Sequence, residues 1–186
     1  MLRYLTMMTM MLAVGGLMMA CSDYKESGGM TAQEREMDRI ADARDAIEEF
    51  KDADPTMDRF FDTAYAYAVF PEVGKGAFVV GGAYGKGVVF RNGNAIGFAT
   101  LKAGSVGAQI GGQSFREIIF FEDQGAFREF RNDRLEFSAN ASAVAATKGA
   151  SAAADYDSGV AVFSQAIGGA MLEASIGGQS FDYEAR

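Results

Sequence analysis

Residues 65–90, YAYAVFPEVGKGAFVVGGAYGKGVVF, carry the pattern that decides the fold. Two short apolar runs, at residues 77–80 and 88–90, are separated by closely spaced glycines. Short runs of valine and phenylalanine bounded by glycine are typical of β-strands. Glycines within strands indicate a bulge, a strong twist or the close approach of another backbone or a ligand. The segment therefore predicts a tightly curved, well-filled sheet.

The chain after residue 76 consists mostly of further candidate strands. We predict strands at residues 77–82, 87–90, 95–101, 106–112, 116–121, 160–164 and 169–174. The dipeptide Asn92-Gly93 predicts a hairpin turn, because both residue types tolerate a positive φ. Strands separated by turn signals at intervals of about 8–12 residues favour a sandwich or a barrel over alternating βαβ units. The sequence IGGQSF occurs at residues 110–115 and again at 176–181, and we expect each copy to end a strand.

Three helices are predicted beside these strands. Thr31 and Glu34 form a capping box that starts a helix of about 20 residues. Its mixed-charge polar face favours packing on the sheet over lying on a membrane, where such a face is usually basic. Asp54-Pro55 starts a second helix, and the third occupies residues 124–131. The inward-facing residues of the first helix are expected to be Met37, Ile40, Ala41, Ile47 and Phe50.

These elements together predict an α+β fold. It is β-rich, with antiparallel strands curved into a sandwich or barrel-like core. The two N-terminal helices and the short mid-chain helix pack against that core. Residues 148–157 are small and polar, which indicates a loop or a single helical turn at residues 151–154.

The first twenty residues differ from the rest of the chain. A basic start at Arg3 precedes a nearly continuous apolar run, which ends directly before Cys21, the single cysteine. The pattern resembles a bacterial lipoprotein signal, in which this cysteine becomes the lipidated N-terminus. We expect residues 1–20 to be a signal peptide, residues 21–31 the lipidated cysteine and a flexible tether, and residues 32–186 the folded domain. An incidental thiol after an ordinary signal or a membrane anchor is the alternative.

The glycine-containing segment FPEVGKGAFVVGGAYGKGVVF, at residues 70–90, resembles the signature of the SYLF domain. This is a lipid-binding module of eukaryotes and of bacterial envelope proteins, and the resemblance extends over about residues 32–184. It implies binding of membrane phospholipid and no known catalysis. With the lipoprotein-like leader, it implies a protein anchored by its own lipid in the cell envelope. Ser22, directly after the cysteine, resembles a sorting signal for the outer membrane, where the protein would face the periplasm.

The residue types present exclude most catalytic schemes. The chain contains no histidine, which removes Ser-His-Asp and Cys-His catalysis and the commonest metal ligand. The glycine clusters match neither a P-loop nor a dinucleotide-binding motif. The acids, Glu117 among them, show no spacing that selects a catalytic pair. We therefore expect a non-enzymatic protein without a cofactor.

The glycine-rich strands contain the candidate residues for contact with lipid. Lys75 and Lys86 could meet a lipid phosphate as point charges, or they could be solvated turn lysines. A sheet with glycine on one face could leave a groove for an acyl chain, although a filled core is the alternative for each residue. The candidate groove residues are Phe78, Val80, Tyr84, Val88 and Phe90.

Net charge limits the partners. The chain carries a formal charge of −8, so its surface is repelled by nucleic acid and by anionic membranes. Nucleic acid is not expected as a partner, and binding of a phosphate headgroup would have to be local. The second hypothesis for the function is a structural or interaction protein of the envelope, whose sheet edges or first helix dock a protein partner.

Overall fold

The computed structural model describes residues 29–74, 83–103, 114–135, 144–167 and 178–186. Single turns of 3-10 helix lie at Pro55–Met57 and Ser151–Ala153. The helices are α1 (Ala32–Ala53), α2 (Asp58–Thr63) and α3 (Gln124–Arg131). The strands are β1 (Ala66–Gly74), β2 (Ala83–Arg91), β3 (Asn94–Ala103), β4 (Phe115–Phe121), β5 (Val144–Ala145), β6 (Val160–Ala166) and β7 (Gln179–Ala185).

The described strands form one sheet in the order β5-β6-β4-β1-β2-β3-β7. Neighbouring strands are antiparallel, apart from the parallel pair β5 and β6. Helices α1 and α2 cover one face, which we call the α1 side, and α3 covers the opposite face, the α3 side. The predicted α+β fold with three packed helices is confirmed. The sheet of described strands is open, and its sandwich-like core has helices as outer layers.

The sheet curves strongly toward α3. The side chain of Gln179, in β7, donates a hydrogen bond of 3.1 Å to Glu117, in β4. Four inter-strand steps separate these strands in the sheet, about 19 Å if the sheet were flat. Two side chains cannot span that distance, so the predicted tight curvature is confirmed.

Because Gly87 is a glycine and has no Cβ atom, β1 and β2 can pack closely where the sheet curves. A Cβ atom there would lie 2.6 Å from both Phe70 Cδ1 and the Val69 carbonyl oxygen. The ring of Phe70 therefore lies against the backbone of β2. This glycine serves close packing, as its position within the strand pattern indicated.

The central strand β1 was not predicted. The candidate strands all began at or after residue 77, whereas β1 starts at Ala66. The structure places Pro71 at a β-bulge, because the pairing shifts register between Val69 and Val73 on the β2 side and between Phe70 and Val73 on the β4 side. The bulge removes the need for a ladder hydrogen bond from proline.

Helix α1 forms as predicted but is rotated relative to the expected face. The capping box is present, with the Thr31 amide donating to Glu34 at 2.7 Å and the Glu34 amide donating to the Thr31 hydroxyl at 3.1 Å. Met37 and Ala41 are exposed, contrary to the prediction. The residues that α1 buries are Ile40, Ala43, Ala46, Ile47 and Phe50. Small alanines let the helix lie close to the sheet, so α1 packs on its own domain.

The remaining predictions divide into three groups. The bounds of α3, the helical turn at residue 151 and the Asn92-Gly93 turn, with φ of 50° and 74°, are confirmed. Phe115 of the first IGGQSF copy and Gln179 of the second begin β4 and β7, and the strands that the two copies were expected to end lie outside the described residues. The strands predicted at residues 77–82, 106–112 and 169–174 lie outside the described residues.

Candidate functional site

The predicted lipid contacts in β2 share one face of the strand. Tyr84, Lys86, Val88 and Phe90 alternate along β2 and all face the α1 side. Val88 and Phe90 are 0% and 1% exposed and pack in the core beneath the helices. Only Tyr84, half-buried, and Lys86, exposed, offer accessible atoms. The other predicted residues, Cys21, Lys75, Phe78 and Val80, lie outside the described residues.

Lys86 lines a cavity of about 320 Å³ beside the first half of α1. The lining contains three acids, Asp38, Asp42 and Glu72, together with basic residues. Carboxylates compete with an anionic headgroup for those cations, which makes this cavity a weak candidate for a phosphate site. Its lining residues are Met30, Arg35, Asp38, Arg39, Asp42, Pro71, Glu72 and Lys86.

A second cavity, of about 420 Å³, lies on the α3 side. We call it the arginine pocket, because three arginines and no acid line it among the described residues. The lining residues are Tyr65, Arg91, Ile96, Gln124, Phe127, Arg128, Arg131, Tyr183 and Ala185. Its volume falls within the range of about 300–1,000 Å³ that small-molecule sites occupy.

The β2–β3 hairpin supplies one wall of the arginine pocket. Arg91 is the last residue of β2, and the turn at Asn92-Gly93 reverses the chain directly after it. A bulge follows in β3, where Val89 pairs with Gly97 and Phe90 pairs with Ala95, leaving Ile96 as the extra residue. The bulge turns Ile96 toward the α3-side core, where it lines the pocket.

Helix α3 supplies the opposite wall. The Asp123 carboxylate accepts from the Ala126 amide at 2.9 Å and thereby caps the helix. Phe127 is buried against the sheet, while Arg128 and Arg131 are exposed. Residues three apart lie on the same side of a helix, so both arginines project beside the pocket.

Tyr183 of β7 forms the floor, and Gly97 makes room for it. A Cβ atom at position 97 would lie 2.6 Å from the Tyr183 ring. The Tyr183 hydroxyl donates to the Ile96 carbonyl at 3.3 Å. Burial raises the pKa of this tyrosine, against the lowering effect of Arg131. The floor is thus a neutral aromatic ring held in a fixed orientation.

Stacking on aromatic rings orders two of the arginines. The Arg91 guanidinium lies 4.1 Å from the centre of the Tyr65 ring, and Arg131 lies 5.2 Å from Tyr183 and 5.7 Å from Phe127. Among the described residues, none of the three arginines makes an ion pair with a carboxylate. Stacked guanidinium groups keep their N–H edges available for a bidentate anion.

Sequence reasoning missed the arginine pocket. The spacing of Arg128 and Arg131 in a predicted helix was an available signal for a basic face. Tyr65 and Tyr183 belong to distant parts of the chain, and no local pattern joins them. Their proximity depends on the curvature of the sheet, which brings β7 beneath α3.

The described residues contain no group of three histidine, cysteine or acidic side chains able to hold a metal ion. Within those same ranges, no helix combines the length and apolar character needed to span a bilayer.

Comparisons with known proteins find one matching family model and a similar curated protein. Residues 102–183 match the family model Ysc84, described as a Las17-binding protein actin regulator. The chain is also similar to Beta cell expansion factor A of Aeromonas veronii, with 30% identity over 128 residues. That match covers 68% of this chain and 49% of the relative, so the chain spans about half the relative's length.

Proposed function

The chain belongs to the Ysc84, or SYLF, family, and from that premise we propose an envelope lipoprotein whose folded domain binds phospholipid without catalysing a reaction. Family membership supports a binding domain linked to lipid or to actin regulation. The observation that carries the finer proposal is the arginine pocket, which offers cationic groups and aromatic surface in one concavity.

The chemistry of the pocket suits a phosphate attached to an apolar body. Arg91, Arg128 and Arg131 can share the charge of the phosphate, because guanidinium groups match its oxygens in a bidentate geometry. The rings of Tyr65 and Tyr183 can cover the adjoining apolar part of the lipid. The acid-free lining compensates locally for the net charge of −8 that repels an anionic membrane elsewhere.

The lipid anchor proposed at Cys21 has a separate task. Acyl chains contribute about 0.8 kcal/mol per buried CH₂, and two or more chains anchor a protein stably. An anchored protein does not need its domain to remain on its own membrane. We therefore assign the arginine pocket to recognition of a lipid molecule or of a second membrane.

Vesicle flotation of the chain from residue 22 onward, without acyl chains, tests the proposal. We expect binding to vesicles that contain phosphatidylglycerol. Replacing Arg91, Arg128 and Arg131 with glutamine should weaken it about tenfold or more, because charge-assisted hydrogen bonds are lost. The matched control replaces Arg44, Arg134 and Lys148, which lie outside the pocket, and should bind like the wild type. Failure of the wild type to bind any phospholipid, neutral or anionic, would refute the proposal.

A protein partner is the second candidate function, favoured by the description of the Ysc84 model as a partner-binding regulator. Helix α1 presents Met37, 52% exposed, on its outer side. A photo-crosslinker at position 37 should capture one dominant protein adduct in cells if this candidate is correct. Co-purified lipid without such an adduct would favour phospholipid binding.

A further inference from the structure

A buried polar cluster lies within the α3-side core. Glu117 of β4 is fully buried and stands directly opposite Phe70 of β1 and Ser164 of β6. Residues paired in this way point to the same face of a sheet. Ser164 is only 1% exposed, so both polar side chains are removed from water. A carboxyl group in such a place requires a physical explanation.

Several oxygen atoms of the cluster lack a hydrogen-bond partner among the described residues. The Gln179 amide donates to Glu117 Oε2 at 3.1 Å. Among the residues that the structure describes, Glu117 Oε1, Gln179 Oε1 and Ser164 Oγ have no hydrogen-bond partner. The Ser164 hydroxyl can donate as well as accept, but it can serve only one of the two acceptor oxygens, Glu117 Oε1 and Gln179 Oε1, and an ionised carboxylate would add charge to this cluster. A proton on Glu117 would supply a donor and remove the charge.

No described cation faces Glu117 to stabilise its ionised form. The residues that face it from β1, β6 and β7 are the uncharged Phe70, Ser164 and Gln179. The neighbouring Arg116 points to the α1 side, where it pairs with Glu49. Helix α3 contributes phenylalanines to this core, and its arginines lie at the arginine pocket. The Asp133 carboxylate accepts a hydrogen bond of 2.6 Å from the Phe181 backbone amide.

We propose that Glu117 is a neutral, protonated acid in the folded domain, and that the pairing of its protonated carboxyl group with the Gln179 amide ties β4 to β7. Loss of the proton leaves a buried carboxylate that only water can solvate well. The least costly response is for the edge strand β7 to move away and admit water. This inference stands independently of phospholipid binding, although β7 also carries Tyr183 of the arginine pocket.

The direction of the pH dependence follows from burial. Burial raises the pKa of Glu117 to about 7, although the hydrogen bond from Gln179 opposes the rise. Between the ordinary glutamate pKa of about 4.3 and this value, the folded state holds a proton that the unfolded chain has lost. The stability contributed by protonated Glu117 is therefore full at low pH and is lost as pH rises toward and past 7.

Glu117→Gln in the full chain tests the tie, because glutamine imitates the protonated acid at every pH. We expect similar melting temperatures for variant and wild type at pH 5, and a melting temperature about 4 °C or more higher for the variant at pH 8. At pH 8 the amides of β7 should exchange hydrogen faster in the wild type than in the variant. Glu184→Gln, an exposed change in the same strand, is the control and should follow the wild type.

A titration of the wild type covers the case in which the variant does not fold. The carboxyl carbon of Glu117, followed by NMR, should titrate well above the ordinary glutamate range. A midpoint near 4.3, or the same pH dependence in variant and wild type, would overturn the proposal. Stabilisation of the wild type but not the variant by Ca²⁺ or Mg²⁺ at pH 8 would also overturn it, since the cluster would then be a cation site.

Discussion

Asp54 is a second fully buried acid, and its surroundings are the opposite of those of Glu117. Its carboxylate accepts hydrogen bonds from the Thr56 amide and hydroxyl at 3.1 and 2.6 Å, the Gly149 amide at 2.9 Å and the Ser151 amide at 2.7 Å. Burial by itself would raise the pKa of Asp54, but these donors hold it well below its usual range. The residue joins the end of α1 to a segment almost a hundred positions later.

Asp54→Ala should lower the free energy of unfolding by about 3 kcal/mol at pH 7, because several buried donors lose a charged acceptor. Urea denaturation measures this change. Asp52→Ala is the matched control, since Asp52 is exposed and lies two residues before Asp54, and it should change stability by less than about 0.5 kcal/mol. Equal effects of the two substitutions would show that the buried hydrogen bonds contribute little.

The sequence does not distinguish these two acids. Asp54 was predicted to cap a helix because a proline follows it. Glu117 was one of several acids that no sequence pattern singled out. Whether a buried acid is ionised depends on the donors around it, and those come from Gly149 and Ser151 in one case and from Gln179 in the other. Such partners are set by the fold, not by neighbouring residues in the chain.

Among the elements, those with local signals were predicted well. Helix α3 has an aspartate cap and two inward phenylalanines, and its bounds were correct. Strand β1 was missed because a proline normally marks a break, and the compensating bulge is created by pairing with two other strands. Strand β7 was missed because its polar residues alternate weakly. Its burial depends on Phe181, which packs against Phe70 and Phe130 from other elements.

The candidate site, like the elements, was predicted only where the signal lies in the local sequence. The glycine-rich motif led to β2, where Val88 and Phe90 are core residues and only Lys86 and Tyr84 are accessible. The arginine pocket is assembled from a hairpin, a helix and an edge strand. The bulge at Ile96 orients that side chain toward the pocket. A bulge of one residue turns a side chain to the other side of the sheet, and the local sequence gives no signal for it.

Helix α1 provides a test of whether an amphipathic element belongs to the core or to a membrane surface. Phe50 is fully buried against the sheet, and Met37 is 52% exposed. Phe50→Ala should destabilise the domain by about 3–5 kcal/mol through loss of contacts and creation of a cavity, whereas Met37→Ala should cost less than about 0.5 kcal/mol. Thermal unfolding followed by circular dichroism compares them. Similar losses for both variants would contradict the observed packing of α1.

At the scale of the whole molecule, charge is distributed unevenly over the two sides of the sheet. The cavity on the α1 side mixes acids with Lys86 and other basic residues, whereas the described lining of the arginine pocket on the α3 side contains no acid. A protein with a net charge of −8 can approach an anionic surface productively only through such a local region. The proposed anchor would keep the domain near a membrane without fixing which side faces it, because residues 22–30 provide about 30 Å of reach when extended.

The proposed anchor itself depends on one atom, the sulfur of Cys21, and can be tested directly. Cys21→Ser removes the thiol that would carry the acyl chain, so we expect an unlipidated precursor that retains residues 1–20. Labelling with a fatty-acid analogue and mass measurement of the protein detect the difference. Ser27→Ala, in the same proposed tether, is the matched control and should be labelled and processed like the wild type. A normally processed, membrane-bound Cys21→Ser protein would mean that the domain is held by something other than its own lipid, and the role assigned to the arginine pocket would then include anchoring.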